Sequence, residues 1–178
     1  MAVGELERRF TAMYEAHYDD VARYVRRRAP DLDLADVLAK VFLAAWQRCP
    51  DIPADAALPW LYRTAGFVLA NEMRGRRRAA RLYDRVRSDP APSHADHADD
   101  VVDRLALWAE FHRLDPRDQE VLRLIAWEGL SVGEAATVLG LRRTTVAMRV
   151  SRLRRRLRHL RVAAPDPSPR QVTERSKS

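Results

Sequence analysis

A chain of 178 residues that is 47% hydrophobic can fill one ordinary domain or two small ones, which excludes wholesale disorder. A net charge of +7 and a pI near 10.3 point to an anionic partner, most simply nucleic acid. The single cysteine, Cys49, excludes a disulfide framework and a cysteine-based zinc finger, and no run approaches membrane-spanning length.

All basic residues except Lys40 and Lys177 are arginine. That suits bidentate contacts to phosphate and guanine, and GC-rich codon usage produces the same bias, so composition alone does not choose. Met1 to Phe10 is charged and lacks an apolar signal core, so the cytoplasm is the expected compartment.

In chain order, Phe10, Met13, Tyr14, His17, Val21, Tyr24 and Val25 follow the i, i+3, i+4 rule and predict a first amphipathic helix ending before Pro30. Asp33 can cap a second helix with Leu34, Val37, Leu38, Val41, Phe42 and Ala45 as its apolar stripe. Pro50, Pro53 and Pro59 bracket a loop, and Pro59 fits the first turn of a third helix. That helix buries Trp60, Leu61, Thr64, Ala65, Val68 and Leu69, then runs into a strongly basic segment, Arg74 to Arg87.

Residues 88–100, "SDPAPSHADHADD", lack an apolar face and read as a flexible linker. His94 and His97 have no third ligand nearby, so neither a metal nor a cofactor is expected. Further helices are predicted at Val101 to Leu114, Pro116 to Glu128, Val132 to Leu139 and Arg143 to about Leu160, followed by a disordered tail from 162. The fold class is all-α: two small helical domains joined by a flexible linker.

The segment 131–155 has the pattern of a helix-turn-helix. Val132, Ala135, Ala136 and Leu139 share one face, Gly140 allows a tight reversal, and Leu141 is expected to re-enter the core. Val146, Val150, Leu153 and Leu157 line the next helix. Rotation by about 100° per residue turns Thr144, Thr145, Met148, Arg152 and Arg155 outward, with Arg149 on the flank. From Arg142 to Arg161 there are nine arginines and no acid. Arg149 and Arg152 are the expected base readers, and Arg154 to Arg158 the phosphate contacts.

The stretch "LDPRDQEVLRLIAWEGLSVGEAATVLGLRRTTVAMRVSRLRRRLR", 114–158, resembles the C-terminal DNA-binding region of the bacterial extracytoplasmic-function (ECF) sigma factors. "MYEAHYDDVARYVRRR", "DLADVLAKVFLAAW", "WLYRTA" and "NEMRGRRR" resemble the other conserved sigma domain, in the expected order. The resemblance implies domains at 5–87 (region 2) and 101–161 (region 4), with a linker at 88–100 and a tail at 162–178. It implies core RNA polymerase and promoter DNA as partners and allows an anti-sigma factor; no Gly-rich phosphate loop, Ser/His/Asp arrangement or zinc spacing points to an enzyme, and none is expected.

Its site residues would be Asp36, Ala39, Lys40 and Phe42 for the polymerase clamp helices. The minus-ten element would fall to the loop 49–59 and to Arg63, Asn71, Arg74, Arg76, Arg77 and Arg78. The minus-thirty-five element would fall to Arg142, Arg143, Thr144, Thr145, Met148, Arg149 and Arg152. Trp60 and Tyr62 would lie near the melting surface.

Departures from the family pattern are Ala39 and Lys40 for a glutamine and an acid, Phe67 for an asparagine, and Arg142 for a capping serine. Loss of that cap costs about 1 kcal/mol, and Arg142 can hold a phosphate instead. The alternatives are a helix-turn-helix regulator, or a diverged sigma-like interaction protein, that does not recruit polymerase.

Overall fold

The first helix, α1 (Val3–Arg28), turns Val21, Tyr24 and Val25 inward and ends where Pro30 removes the next donor. The computed structural model describes residues 3–84 and 108–161. The expected linker, the tail, His94, His97 and the start of the helix expected at Val101 lie outside them.

Asp33 caps α2 (Leu34–Gln47), its carboxylate accepting from the Ala35 and Asp36 amides at 2.9 and 3.3 Å. Two 3₁₀ turns, Cys49–Asp51 and Ala54–Ala56, carry the proline loop, and Cys49 and Ile52 anchor it by being buried. Arg9 also donates to the Ile52 carbonyl. The long α3 (Ala57–Asp84) starts two residues before Pro59, which its first turn tolerates because those amides have no intrahelical acceptor. Leu61, Tyr62, Ala65 and Leu69 close the three-helix core against Val37, Leu38, Val41 and Ala45.

The second unit begins, among the described residues, with α4 (108–112). Asp115 caps α5 (Pro116–Leu122), and its carboxylate accepts from the Arg117 amide at 2.8 Å. The single helix expected from Pro116 to Glu128 is interrupted by a π turn at Arg123–Trp127, where the Glu128 amide reaches back to the Arg123 carbonyl at 3.1 Å. Gly129, at φ 67°, ends it.

Ser131 and Glu134 form a capping box on α6 (Val132–Leu139). Gly140 then adopts φ 64° and reverses the chain into α7 (Arg143–Arg161). The small Ala135 and Ala136 allow close approach of Val146, Val150 and Leu153, so the helix-turn-helix is present. Leu141 departs from expectation. The reversal commits its amide to the Ala136 carbonyl at 3.0 Å and leaves its side chain exposed.

The two units touch. Val138 and Leu139 of α6 face α3 across a hollow of about 450 Å³ that is also lined by Tyr24, Arg28, Phe67 and Met73.

Candidate nucleic-acid interface

The recognition-type helix α7 presents Arg142, Arg143, Thr144, Met148 and Arg152 to solvent, with Met148 63% exposed, while Val146, Val150 and Leu153 hold its opposite side. Arg142 precedes the helix and cannot cap it through its side chain; its carbonyl accepts from the Thr145 and Val146 amides. Its charge therefore stays at the start of the helix, where the free amides also favour anions. Thr145, expected to face outward, is half-buried because it adjoins Val146 at the turn.

The arginine ladder is not uniform. Arg149 is bound to Asp118 of α5 at 2.8 Å, both side chains largely covered, and Arg156 to Glu110 of α4 at 3.1 Å. Both arginines brace α7 to its own domain. Among the described residues Arg152 has no acidic partner, which leaves it the better placed of the two expected base readers. The sequence search missed Asp118 and Glu110 because pairing between helices follows no fixed spacing.

On α3, Asn71, Arg74, Arg76, Arg77 and Arg78 form one exposed, strongly basic stretch. Arg63 does not join it. Its guanidinium donates to the Thr137 carbonyl of α6 at 3.1 Å and lies 5.7 Å from the Phe67 ring, which is itself exposed. Tyr62 is fully buried and stacks on Tyr24 with ring centroids 4.6 Å apart, so it is core and not a base platform. Trp60 is half-buried against the core.

On α2, Asp36, Ala39 and Lys40 are exposed together with Leu43, but Phe42 is a correction. It is 5% exposed and turned inward against Tyr14 and Tyr18, with centroids 4.7 and 6.0 Å away, because its position continues the apolar stripe of Leu38 and Val41. Phe10, Tyr14, Tyr18 and Trp46 surround it as an aromatic cluster, with Tyr14, Tyr18 and Trp46 partly open to solvent. The sequence suggested only the core half of that stripe. Lys40 is held between Asp36 at 2.6 Å and Glu72 of α3 at 2.8 Å. Hydrogen bonds to Asp36 first, and Glu72 second, hold its ammonium above the ordinary lysine range.

No cluster suited to a metal ion occurs among the described residues, and none of their helices is long and apolar enough to cross a membrane.

Family models match both units: Sigma-70 region 2 over residues 13–79 and Sigma-70 region 4 over 104–157. The chain is similar to the ECF RNA polymerase sigma factor SigL of Mycobacterium tuberculosis, 31% identical over 156 residues, covering 83% of this chain and 85% of that one. It is 30% identical over 141 residues to the RNA polymerase sigma factor CnrH of Cupriavidus metallidurans, covering 72% and 73%. The solved structure of CnrH in complex with the cytosolic domain of CnrY superposes with a TM-score of 0.54 at 32% identity, covering 89% of this chain and 91% of that one. The sigma factor RpoE from Bartonella quintana, solved with the anti-sigma factor NepR, shares the fold at a TM-score of 0.52 and 22% identity, covering 91% and 97%.

With both sigma regions matched in order on the two helical units, the chain belongs to the ECF sigma factors, and it binds core RNA polymerase and directs initiation at promoters.

Proposed function

We propose a division of labour among three surfaces. The outward side of α7 reads the minus-thirty-five element in the major groove through Arg142, Arg143, Thr144, Met148 and Arg152, with Arg149 and Thr145 supporting that helix. The α3 stretch Asn71, Arg74, Arg76, Arg77 and Arg78, with the loop 49–59, opens and captures the minus-ten element. Asp36, Ala39 and Lys40, extended by the exposed Leu43, face the polymerase clamp. The units correspond to 5–87 and 101–161, joined by 88–100.

The observation that carries this reading is α7 itself. Val146, Val150 and Leu153 on its apolar side are buried in its own domain, while its opposite side offers donors, one large thioether and no acid. Duplex sequence is read by such a helix in the major groove, and separated strands by basic surfaces and loops.

The chain works in the cytoplasm, where its polymerase is, and it has no catalytic role of its own. An anti-sigma factor is a further partner, supported by the relatives solved with CnrY and NepR. The test is transcription by core polymerase with and without the purified protein, on promoters identified by chromatin mapping. Specific starts that need the protein are expected; starts no different from core alone would overturn the reading.

A further inference from the structure

Three arginines of α7, Arg149, Arg152 and Arg156, follow one another at spacings of three and four. At about 100° per residue they fall within about 60° of one another, on the edge where the apolar side of the helix meets its outward side. Their surroundings are unequal. Asp118 of α5 holds Arg149 at 2.8 Å and Glu110 of α4 holds Arg156 at 3.1 Å. Arg152, between them, has no acidic partner among the described residues.

The two acids come from different helices, and each is fixed by a bond of its own. Asp118 sits in the first turn of α5, where its amide donates to the Asp115 carbonyl at 2.9 Å. Its side chain is 15% exposed and that of Arg149 24%, so salt screens this pair less than an open surface pair. Glu110 is also bound to Arg113 at 2.7 Å. Hydrogen bonds from Arg113 first, and Arg156 second, hold its carboxyl below the ordinary glutamate range, so it is ionised at neutral pH. Arg156 itself is half-exposed, which makes its pair the weaker of the two.

Withholding arginines matters in a chain with a net charge of +7. Phosphate contacts supply essentially all of the binding to non-cognate DNA, but only part of the binding to a cognate site, where base edges contribute as well. An arginine free to swing onto phosphate therefore helps the wrong sites proportionately more. It also lets the helix settle in registers where Arg152 meets no matching base. An arginine tied to a fixed acid does neither, and the acid repels phosphate that approaches this edge out of register.

We propose that Asp118 and Glu110 determine the specificity of minus-thirty-five binding by withholding Arg149 and Arg156 from phosphate, so that Arg152 is the arginine of this edge that enters the groove. Both acids are positioning residues that act through the arginines they hold. This rests on the reading of α7 as the minus-thirty-five helix.

The experiment titrates the full chain, from about 50 to about 200 mM salt, against a labelled duplex carrying the minus-thirty-five site of a promoter identified by chromatin mapping. A duplex with that site scrambled is titrated in parallel. The variants are Asp118→Asn and Glu110→Gln, both near-isosteric, each also combined with loss of its partner's charge (Arg149→Met or Arg156→Met). Thermal melts report folding, and Glu110→Gln decides the matter if Asp118→Asn does not fold. Each single variant should bind scrambled DNA more tightly at the lowest salt and steepen the logarithmic salt dependence by about 0.9. Across the titrated range that amounts to about 3.5-fold more affinity lost. The ratio of cognate to scrambled affinity should fall about threefold or more, and the added methionine should return the slope to the wild-type value. Unchanged discrimination in folded variants, or a steeper slope that persists once the arginine is gone, would overturn the proposal while wild type still prefers the cognate duplex. Equal affinity of wild type for both duplexes would instead overturn the reading of α7, and the proposal with it.

Discussion

Arg149 and Arg152 lie three positions apart on one helix, yet the structure separates their work. Arg149 is tied to Asp118, and its loss leaves a carboxylate that is only 15% exposed without its partner. Arg149→Ala should therefore destabilise the C-terminal domain by about 1–2 kcal/mol, read as a lower unfolding midpoint. Arg152→Ala removes no ion pair and should leave that midpoint unchanged. On the cognate minus-thirty-five site it should cost roughly 1–3 kcal/mol and reduce discrimination against a scrambled site. Titration of the full chain on both duplexes checks this. Equal loss on both DNAs from Arg152→Ala would reduce it to a phosphate contact. Spacing put the two arginines in one class because it reports direction around the helix and not the acid on a neighbouring element.

At the scale of elements, what could be read ahead depended on local interactions. The stripes of α1, α2 and α3 repeat every three to four residues, and the Asp33 cap bonds amides two and three residues on, so both are written in consecutive sequence. The helix-turn-helix was legible for the same reason: two alanines, a glycine and a second apolar stripe fall within about twenty positions. The π turn was not, since Arg123–Trp127 continues an ordinary helical pattern and only packing selects the extra residue. Leu141 was misplaced because apolar character does not fix the exit angle of a reversal; Phe42 lies in the stripe where periodicity put it, and only the polymerase contact implied by the resemblance disagrees with its burial.

The capping box gives a prediction at this scale. Hydrogen bonding from Ser131, side chain first and backbone amide second, holds the Glu134 carboxyl below the ordinary glutamate range. A lowered native value means the contribution is present above the ordinary carboxylate range and fades as pH falls through the native value. Ser131→Ala should cost about 1 kcal/mol near neutrality. The difference from wild type should shrink in acid, below about pH 4, as measured by denaturant melts across pH. A gap that widens in acid would contradict the assignment.

Across the whole molecule, Lys40 links two surfaces that the sequence treats separately. It sits on the side of α2 proposed to face polymerase, but its ammonium is shared between Asp36 and Glu72, and Glu72 lies between Asn71 and Arg74 of the stretch proposed to capture the minus-ten element. The lysine therefore does not present a bare positive charge to polymerase. With its two acids it forms a patch of one net negative charge, and on the proposed division of surfaces it would shield promoter phosphates from Glu72. Replacing it with an acid would have opposite consequences on the two sides. Ala39→Gln with Lys40→Glu makes the patch three charges negative, restores the side-chain types usual in the family, and should tighten the complex with core polymerase. The same change leaves Glu72 unpaired beside DNA, so the holoenzyme should hold single-stranded minus-ten DNA more weakly. That loss should be clear at low salt and fade as ionic strength rises, because exposed charges are screened over about 10 Å at 0.1 M. Fluorescence anisotropy with labelled core, and with a labelled minus-ten strand at two salt concentrations, measures the two effects independently. If both affinities fall together at every salt concentration, Lys40 acts as a brace between α2 and α3 and the charge argument fails.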